Sequence, residues 1–359
     1  MRLLRSRKYR VELKREGRQI THCPGAAPLT LIIAAVVTLF GGAKTLTTCA
    51  AQDLKTSLRG HDDNASDPLR GVEADINRNR FDTVEPRLNE YVKAHPDSSR
   101  GYYDLGYVHF RTHKIGLSIK ELSRSLELNP NNAEAHKVLA LSCSIIGRYD
   151  LTEVELQQAA RLKPDSAEIH YFLGRTYYTR GVYPLAKSEF ETAIQLDSSY
   201  MKAYSNLGIT LEALGKTEAA LKNYTTAVQL EDRQERRSEW PYIYLCAFYN
   251  RQKNPKEALS YAQQALKINS SSDTVYFEMA KAYRTLGQLE KAAEAARNAA
   301  MINPRVPDYY YVLGLVLREL GRPQDSQAAL EKYARLQQDS ADASSKPQTQ
   351  EPLGVPDPQ

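Results

Sequence analysis

The sequence has little with which to staple or metallate a fold. Its 359 residues hold four cysteines, seven histidines and one tryptophan. Cysteines so few and so spread do not make a disulfide framework. Cys23 and Cys49 lie near the N-terminus, while Cys143 and Cys246 sit 103 residues apart on separate helical patterns and read as small buried hydrophobes. The chain also lacks a Cys-x2-Cys pair, a G-x4-G-K-[ST] phosphate loop and a G-x-S-x-G elbow, so no zinc ribbon, nucleotide cradle or hydrolase nucleophile is advertised. His109 and His113 are four residues apart on an expected helix, within metal-ligand reach. The intervening "FRT" lacks a catalytic Glu, and nothing points to further ligands. No metal site, cofactor or catalytic residue is expected, and the chain reads as a non-enzyme.

Net charge is scarce once the ends are separated. The formal +5 comes from residues 1–28, which hold eight Lys/Arg and two Asp/Glu; the remainder has 40 basic and 41 acidic side chains. A near-neutral body argues against nucleic acid as a partner, because phosphate binding needs a clustered positive surface.

Long apolar runs are missing except for one. Residues 29–43 carry no charge and follow the basic "MRLLRSRKYRVELKREGR". As a helix they span about 22 Å, less than the roughly 30 Å hydrocarbon core. That length suits a signal-peptide core or a short transmembrane helix, with Lys44 snorkelling to extend it. The basic flank places the N-terminus in the cytoplasm and the body outside it. Cleavage after Ala51, acylation at Cys49 and an uncleaved anchor all remain open, with the anchor preferred because the basic region is long. The expected organisation is a basic cytoplasmic N-region (1–28), a signal-peptide core or single transmembrane anchor (29–51) and a polar tether (52–64). An ordered array (65–340) and a disordered Ser/Pro/Gln-rich tail (341–359) follow. Membrane contact is expected through residues 29–46.

Between the ends the chain repeats itself. Pro96, Pro130, Pro164 and Ser198 fall 34 residues apart after helical runs, and Asp232, Ser270, Pro304 and Gln338 continue the series, with one step of 38. Eight units start at residues 65, 99, 133, 167, 201, 239, 273 and 307. Each reads as two amphipathic helices. Gly147, Gly181, Gly215, Gly287 and Gly321 share the position between the helices, where a left-handed backbone ends the first. Small residues at position 8 (Gly106, Ala140, Gly174, Gly208, Cys246, Ala280, Gly314) and position 20 (Ser118, Ala186, Ala220, Ala258, Ala292, with Thr152 an exception) let the paired helices approach. Position 4 holds Tyr102, Tyr204, Tyr242, Tyr276 and Tyr310, with His136 and His170 in two units as packing residues of the same kind.

The Leu-Gly of "YYDLGYVHF", the Ala-x3-Phe of "AKSEFETA" and the closing prolines, at this period, resemble the tetratricopeptide repeat family. The resemblance covers about residues 65–340 and implies an all-α, right-handed superhelical solenoid. It also implies that the first helix of each unit lines a concave groove through positions 2, 5, 6, 9, 12 and 13. Here the groove set is Tyr103, Tyr107, Arg111, Tyr171, Arg175, Tyr178, Asn206, Trp240, Asn250, Lys281, Arg284 and Arg318, with Lys137, Glu212, Tyr244 and Tyr311 at equivalent positions. Tyr, Trp and Arg are also the types that anchor interfaces. The family's two-charge clamp for a C-terminal carboxylate is not complete: only Asn206 is in phase. The four extra residues in "LEDRQERRSEWP" should lengthen a helix or loop out before Pro241. The expected role is a non-catalytic scaffold or assembly factor for a protein or peptide partner, outside the cytoplasm of a bacterium, in envelope biogenesis, secretion or pilus formation. A subunit that positions a separate enzyme, or an array with a cryptic catalytic site, is the alternative. RNA binding by a related repeat does not fit the neutral charge.

Overall fold

The computed structural model describes residues 69–345 other than Arg236, and among them every regular element is a helix. The basic N-region, the apolar run 29–46 and its flanks lie outside the described residues. No helix among the described residues is long and apolar enough to cross a membrane.

Among the described residues sixteen helices form eight pairs in the expected phase. Unit 1 pairs α1 (Arg70–Asn77) with α2 (Phe81–Ala94), and unit 2 pairs α3 (Ser99–Arg111) with α4 (Ile115–Leu128). Unit 3 has α5 (Ala133–Ile145) and α6 (Tyr149–Leu162); unit 4 has α7 (Ala167–Thr179) and α8 (Tyr183–Leu196). Then come α9 (Met201–Ala213) with α10 (Thr217–Glu231), α11 (Trp240–Arg251) with α12 (Pro255–Ile268), α13 (Asp273–Thr285) with α14 (Leu289–Ile302), and α15 (Pro307–Glu319) with α16 (Pro323–Ser345). Each helix packs on the next in chain order, and first helices of neighbouring units also touch. The fold is a solenoid in which each unit packs chiefly against its neighbours.

The turns explain the punctuation. Helix α4 stops at Leu128, and Asn132 caps α5 by accepting from the Ala135 amide at 3.0 Å. Ser98 and Ser166 cap α3 and α7 in the same way. Between paired helices the five glycines have φ near +70°. In units 1, 2 and 6, which lack the glycine, Asn79, His113 and Lys253 adopt φ of 57°, 60° and 58°. The turn geometry is thus invariant, at a strain cost of about 1 kcal/mol for each non-glycine residue.

Position 8 meets position 24 of the same unit across the helix pair. A Cβ on Gly174 would lie 2.7 Å from the Phe190 ring, and one on Gly208 2.6 Å from the Tyr224 ring. Both rings are fully buried. Thr152, the polar exception at position 20, is buried and donates its hydroxyl to the Ala140 and Arg148 carbonyls at 3.3 and 3.0 Å. Ala186, at the same position, has no exposed surface. Ala186→Leu should therefore overpack the α7–α8 pair and cost about 1–3 kcal/mol; a melting curve that overlays the parent would show that this seam has slack.

The insertion mostly loops out. Helix α10 gains one residue over the usual fourteen, and residues 232–235 and 237–239 are irregular, in the connection before α11. At the end of α10 Glu231 is buried, and one carboxylate oxygen accepts from the Ser238 amide. Burial pushes its carboxyl above the usual range. At the other end α16 runs on to Ser345, so residues 341–345 are helical instead of belonging to a disordered tail; Pro347 follows.

Candidate binding groove

The groove positions project from the first helices, and neighbouring units dispose of them in two ways. Tyr103, Tyr107, Arg111 and Tyr171 are each less than a tenth exposed. Tyr103 and Tyr107 stack with centroids 6.4 Å apart. Arg111 donates to the Tyr107 hydroxyl at 2.8 Å and to the Asn79 side-chain oxygen at 2.7 Å, with Phe81 under its guanidinium at 5.1 Å. That side chain ties unit 2 to the strained turn of unit 1. These four residues build the wall between units more than they offer a surface.

Ion pairs between units occupy most of the remaining charge. Lys137 is buried, with its ammonium 2.6 Å from both Glu134 and Glu168 of the next unit. Asn250 donates to the Glu278 carboxylate at 2.7 Å and its carbonyl at 2.9 Å, and Lys281 donates to the same carboxylate at 2.8 Å. Arg284 reaches Glu319 at 2.6 Å. Composition along the groove does not single out Glu212 as a hub. Glu212 accepts two hydrogen bonds from Arg251, at 3.0 and 2.6 Å, and one from the Tyr224 hydroxyl at 2.7 Å. Burial first, then Glu212, holds the Tyr224 phenol well above its usual range. A basic residue at position 13 one unit after an acid at position 12 was the available sequence signal. Arg318 is exposed and lines an open hollow of about 390 Å³ with Pro323, Leu330 and Ala334, away from the other groove residues of units 4–6.

What keeps surface in the middle of the array is aromatic and donor-rich. Arg175, Tyr178, Asn206, Trp240 and Tyr244 are half-buried. Arg175 lies 5.6 Å from the Tyr171 ring and 5.8 Å from that of Phe172, a cation–π arrangement that holds the guanidinium over the floor. Asn206 donates to the Lys202 carbonyl at 2.9 Å and approaches the Tyr171 hydroxyl at 3.5 Å. Trp240 leans on Tyr244 with centroids 6.2 Å apart, so it packs at the start of α11 beside the insertion while remaining partly open. Burial, then Tyr171, pushes the Tyr244 phenol up while Arg175 pulls it down, which brings residues of units 4 and 6 into one electrostatic neighbourhood. Burial lifts Tyr178 to about 12. These phenols stay protonated at neutral pH. Among the described residues no group of three or more His, Cys, Asp or Glu could hold a metal ion. His109 is buried, and its Nδ1 has no hydrogen-bond partner; His113 sits in the turn.

Comparison with known proteins agrees with this architecture. Three tetratricopeptide repeat models match residues 173–234, 249–316 and 307–340. Together with the helix pairs above, they mark tetratricopeptide repeats over residues 173–234 and 249–340. Among solved structures, the APC/C hetero-tetramer Cut9–Hcn1 matches at 20% identity and a TM-score of 0.58, over 67% of this chain and 46% of that one. A tetratricopeptide repeat protein from Parabacteroides merdae matches at 13% identity and the same TM-score, over 69% of this chain and 97% of that one. The chain thus spans under half of the first of these, and both likenesses are of fold. No curated protein matches in sequence.

Proposed function

We propose that this protein is an interaction scaffold that takes an extended peptide segment of a partner protein across units 4–6, with the array displayed outside the cytoplasm and tethered by residues 29–46. The observation that carries the peptide reading is the half-open cluster of Arg175, Tyr178, Asn206, Trp240 and Tyr244. Its donors suit the carbonyls of an extended chain, and its rings suit apolar or proline side chains. The neighbouring carboxylates Glu212 and Glu278 already hold Arg251 and Lys281, so affinity should come from ring burial and hydrogen bonds more than net charge. The tether reading is supported by the basic flank and the uncharged run of residues 29–43. Envelope assembly, secretion or pilus formation is the setting that such an exported scaffold suits.

A photo-crosslinking residue at Tyr178 or Trp240 of the full-length protein, in intact cells, should capture a discrete partner that the same residue at Thr226, on the outer helix, does not. Arg175→Ala in the Trp240 crosslinker should cut that adduct about tenfold, the loss of one interface anchor. Equal adducts from Thr226 would sink the groove assignment. Separately, deleting residues 29–43 should move the protein from the membrane to the soluble fraction; unchanged fractionation would sink the tether alone.

A further inference from the structure

Position 4 of the first helix performs one task by two chemistries. Tyr204, Tyr276 and Tyr310 each reach back six residues and donate to the backbone carbonyls of Ser198, Ser270 and Pro304 at 3.3 Å. Tyr242 reaches back ten, across the insertion, and donates to the Asp232 carboxylate at 2.5 Å. In units 5–8 the ring at this position therefore fastens the unit to the turn that precedes it.

In units 3 and 4 the ring is an imidazole. His136 Nδ1 lies 2.6 Å from Glu155 Oε2, and its Nε2 lies 3.0 Å from the Pro130 carbonyl. His170 repeats the arrangement with Glu189 at 2.7 Å and the Pro164 carbonyl at 3.0 Å. Both side chains are largely covered, 12% and 15% exposed. A neutral imidazole has one N–H, so one of its nitrogens would turn a lone pair toward an oxygen at hydrogen-bond distance. Only the doubly protonated ring donates to both.

We propose that His136 and His170 are imidazolium staples that make the junctions on either side of unit 3 the pH-responsive section of the array. Protonated, each ties the preceding turn to the second helix of its own unit. Deprotonated, each loses one of its two ties. The tyrosine junctions elsewhere keep theirs, because a phenol has no such transition near neutrality.

The surroundings agree with this assignment. Around His136, burial acts most strongly and disfavours the charge, and Arg161 on α6 does so weakly. The Glu155 hydrogen bond and charge and the Pro130 carbonyl together outweigh them, and the net shift is upward. Around His170 the Glu189 hydrogen bond leads, burial opposes it, the Pro164 carbonyl assists, and the net shift is again upward. A folded-state pKa raised above the usual value of about 6.5 stabilises fully below that pH, and the contribution is lost as pH rises through the folded value. The loosening is therefore on the alkaline side. It acts on the two units that carry Lys137, Arg175 and Tyr178.

Hydrogen–deuterium exchange of the full-length protein tests this at about pH 6 and about pH 8, the window of a raised histidine, with intrinsic rates corrected. Protection over residues 129–137 and 163–171 should fall about fivefold on raising the pH, the equivalent of one ordinary hydrogen bond. The segments around Tyr276 and Tyr310 should not change. His136→Tyr/His170→Tyr installs the residue of the other units and should abolish the step while keeping protection at the lower pH. Glu155→Gln/Glu189→Gln should move the midpoint of the step to lower pH, and it decides the matter alone if the tyrosine variant does not fold. A step that persists in the tyrosine variant, an equal step at the tyrosine junctions, or an unmoved midpoint in the glutamine variant would overturn the proposal.

Discussion

Phe190→Ala is expected to destabilise the protein by about 3–5 kcal/mol, the usual cost of emptying a fully buried phenylalanine site. The ring has no exposed surface and fills the space opposite Gly174, where a Cβ would stand 2.7 Å from it. It also touches Tyr171, 6.0 Å between centroids, so the cavity would extend into the wall of the groove. Unit 4 lies mid-array, and stability in a solenoid is a sum of unit and neighbour terms. The loss should therefore appear as a lower urea midpoint together with a shallower transition, as the array melts in two parts. A compensating test follows from the pairing. Gly174→Ala alone should cost about 1–3 kcal/mol by overpacking. Gly174→Ala with Phe190→Leu copies the Ala140–Leu156 pair of unit 3 and should be more stable than the sum of its parts. Strict additivity of the two single changes would show that the helices adjust without reference to this contact.

That pairing was available in the sequence. Where position 8 is Gly106, Gly174, Gly208 or Gly314, position 24 is Leu122, Phe190, Tyr224 or Leu330; where it is Cys246 or Ala280, position 24 is Ala262 or Ala296. In these six units the two series trade volume because both face the same gap, whereas Val72–Leu88 and Ala140–Leu156 keep a leucine. Unit phase was equally plain, since five glycines mark the left-handed turn. The glycine rule is blind at Asn79, His113 and Lys253, where packing on both sides forces the same backbone on residues that resist it.

The groove was less accessible to sequence reasoning, for a physical reason. Whether Tyr171 or Tyr178 keeps surface depends on how far each unit rotates against the next. A single period does not set that rotation. The rotation buries Tyr103, Tyr107 and Tyr171 between units and leaves Tyr178 and Tyr244 half-open. The links from Arg251 to Glu212 and from Arg284 to Glu319 likewise join different units across 39 and 35 residues. Position 4 shows the same limit. His136 and His170 share a register with tyrosines and looked like packing rings, yet the two oxygens that flank each come from a preceding turn and a following helix.

Lys137→Ala is expected to cost about 3 kcal/mol or more, the penalty for leaving buried carboxylates without their cation. The Lys137 side chain is 6% exposed and sits 2.6 Å from Glu134 and from Glu168, which are themselves 16% and 19% exposed. Lys163 approaches Glu134 at 3.4 Å but is 42% exposed and does not reach Glu168, so it replaces little of the lost charge. Lys137→Met should cost nearly as much, since filling the space does nothing for the two acids. Lys137→Met with Glu134→Gln and Glu168→Gln should recover most of the loss, because the uncompensated charges go with it. The dependence on pH separates this from simple packing. Burial raises the Glu134 carboxyl, but the Lys137 charge and hydrogen bond, with Lys163, more than offset it, and its folded pKa lies below the usual value. A depressed carboxylate stabilises above its unfolded pKa of about 4.5 and loses that contribution as pH falls through the folded value. The stability gap between parent and Lys137→Ala, followed by urea midpoints, should therefore be full at neutral pH and narrow as the acid range is entered. A gap that stays constant down to about pH 3.5, below the unfolded carboxyl pKa, would place the cost in lost side-chain packing and leave the junction of units 3 and 4 to the His170 tie and the apolar contacts beside it.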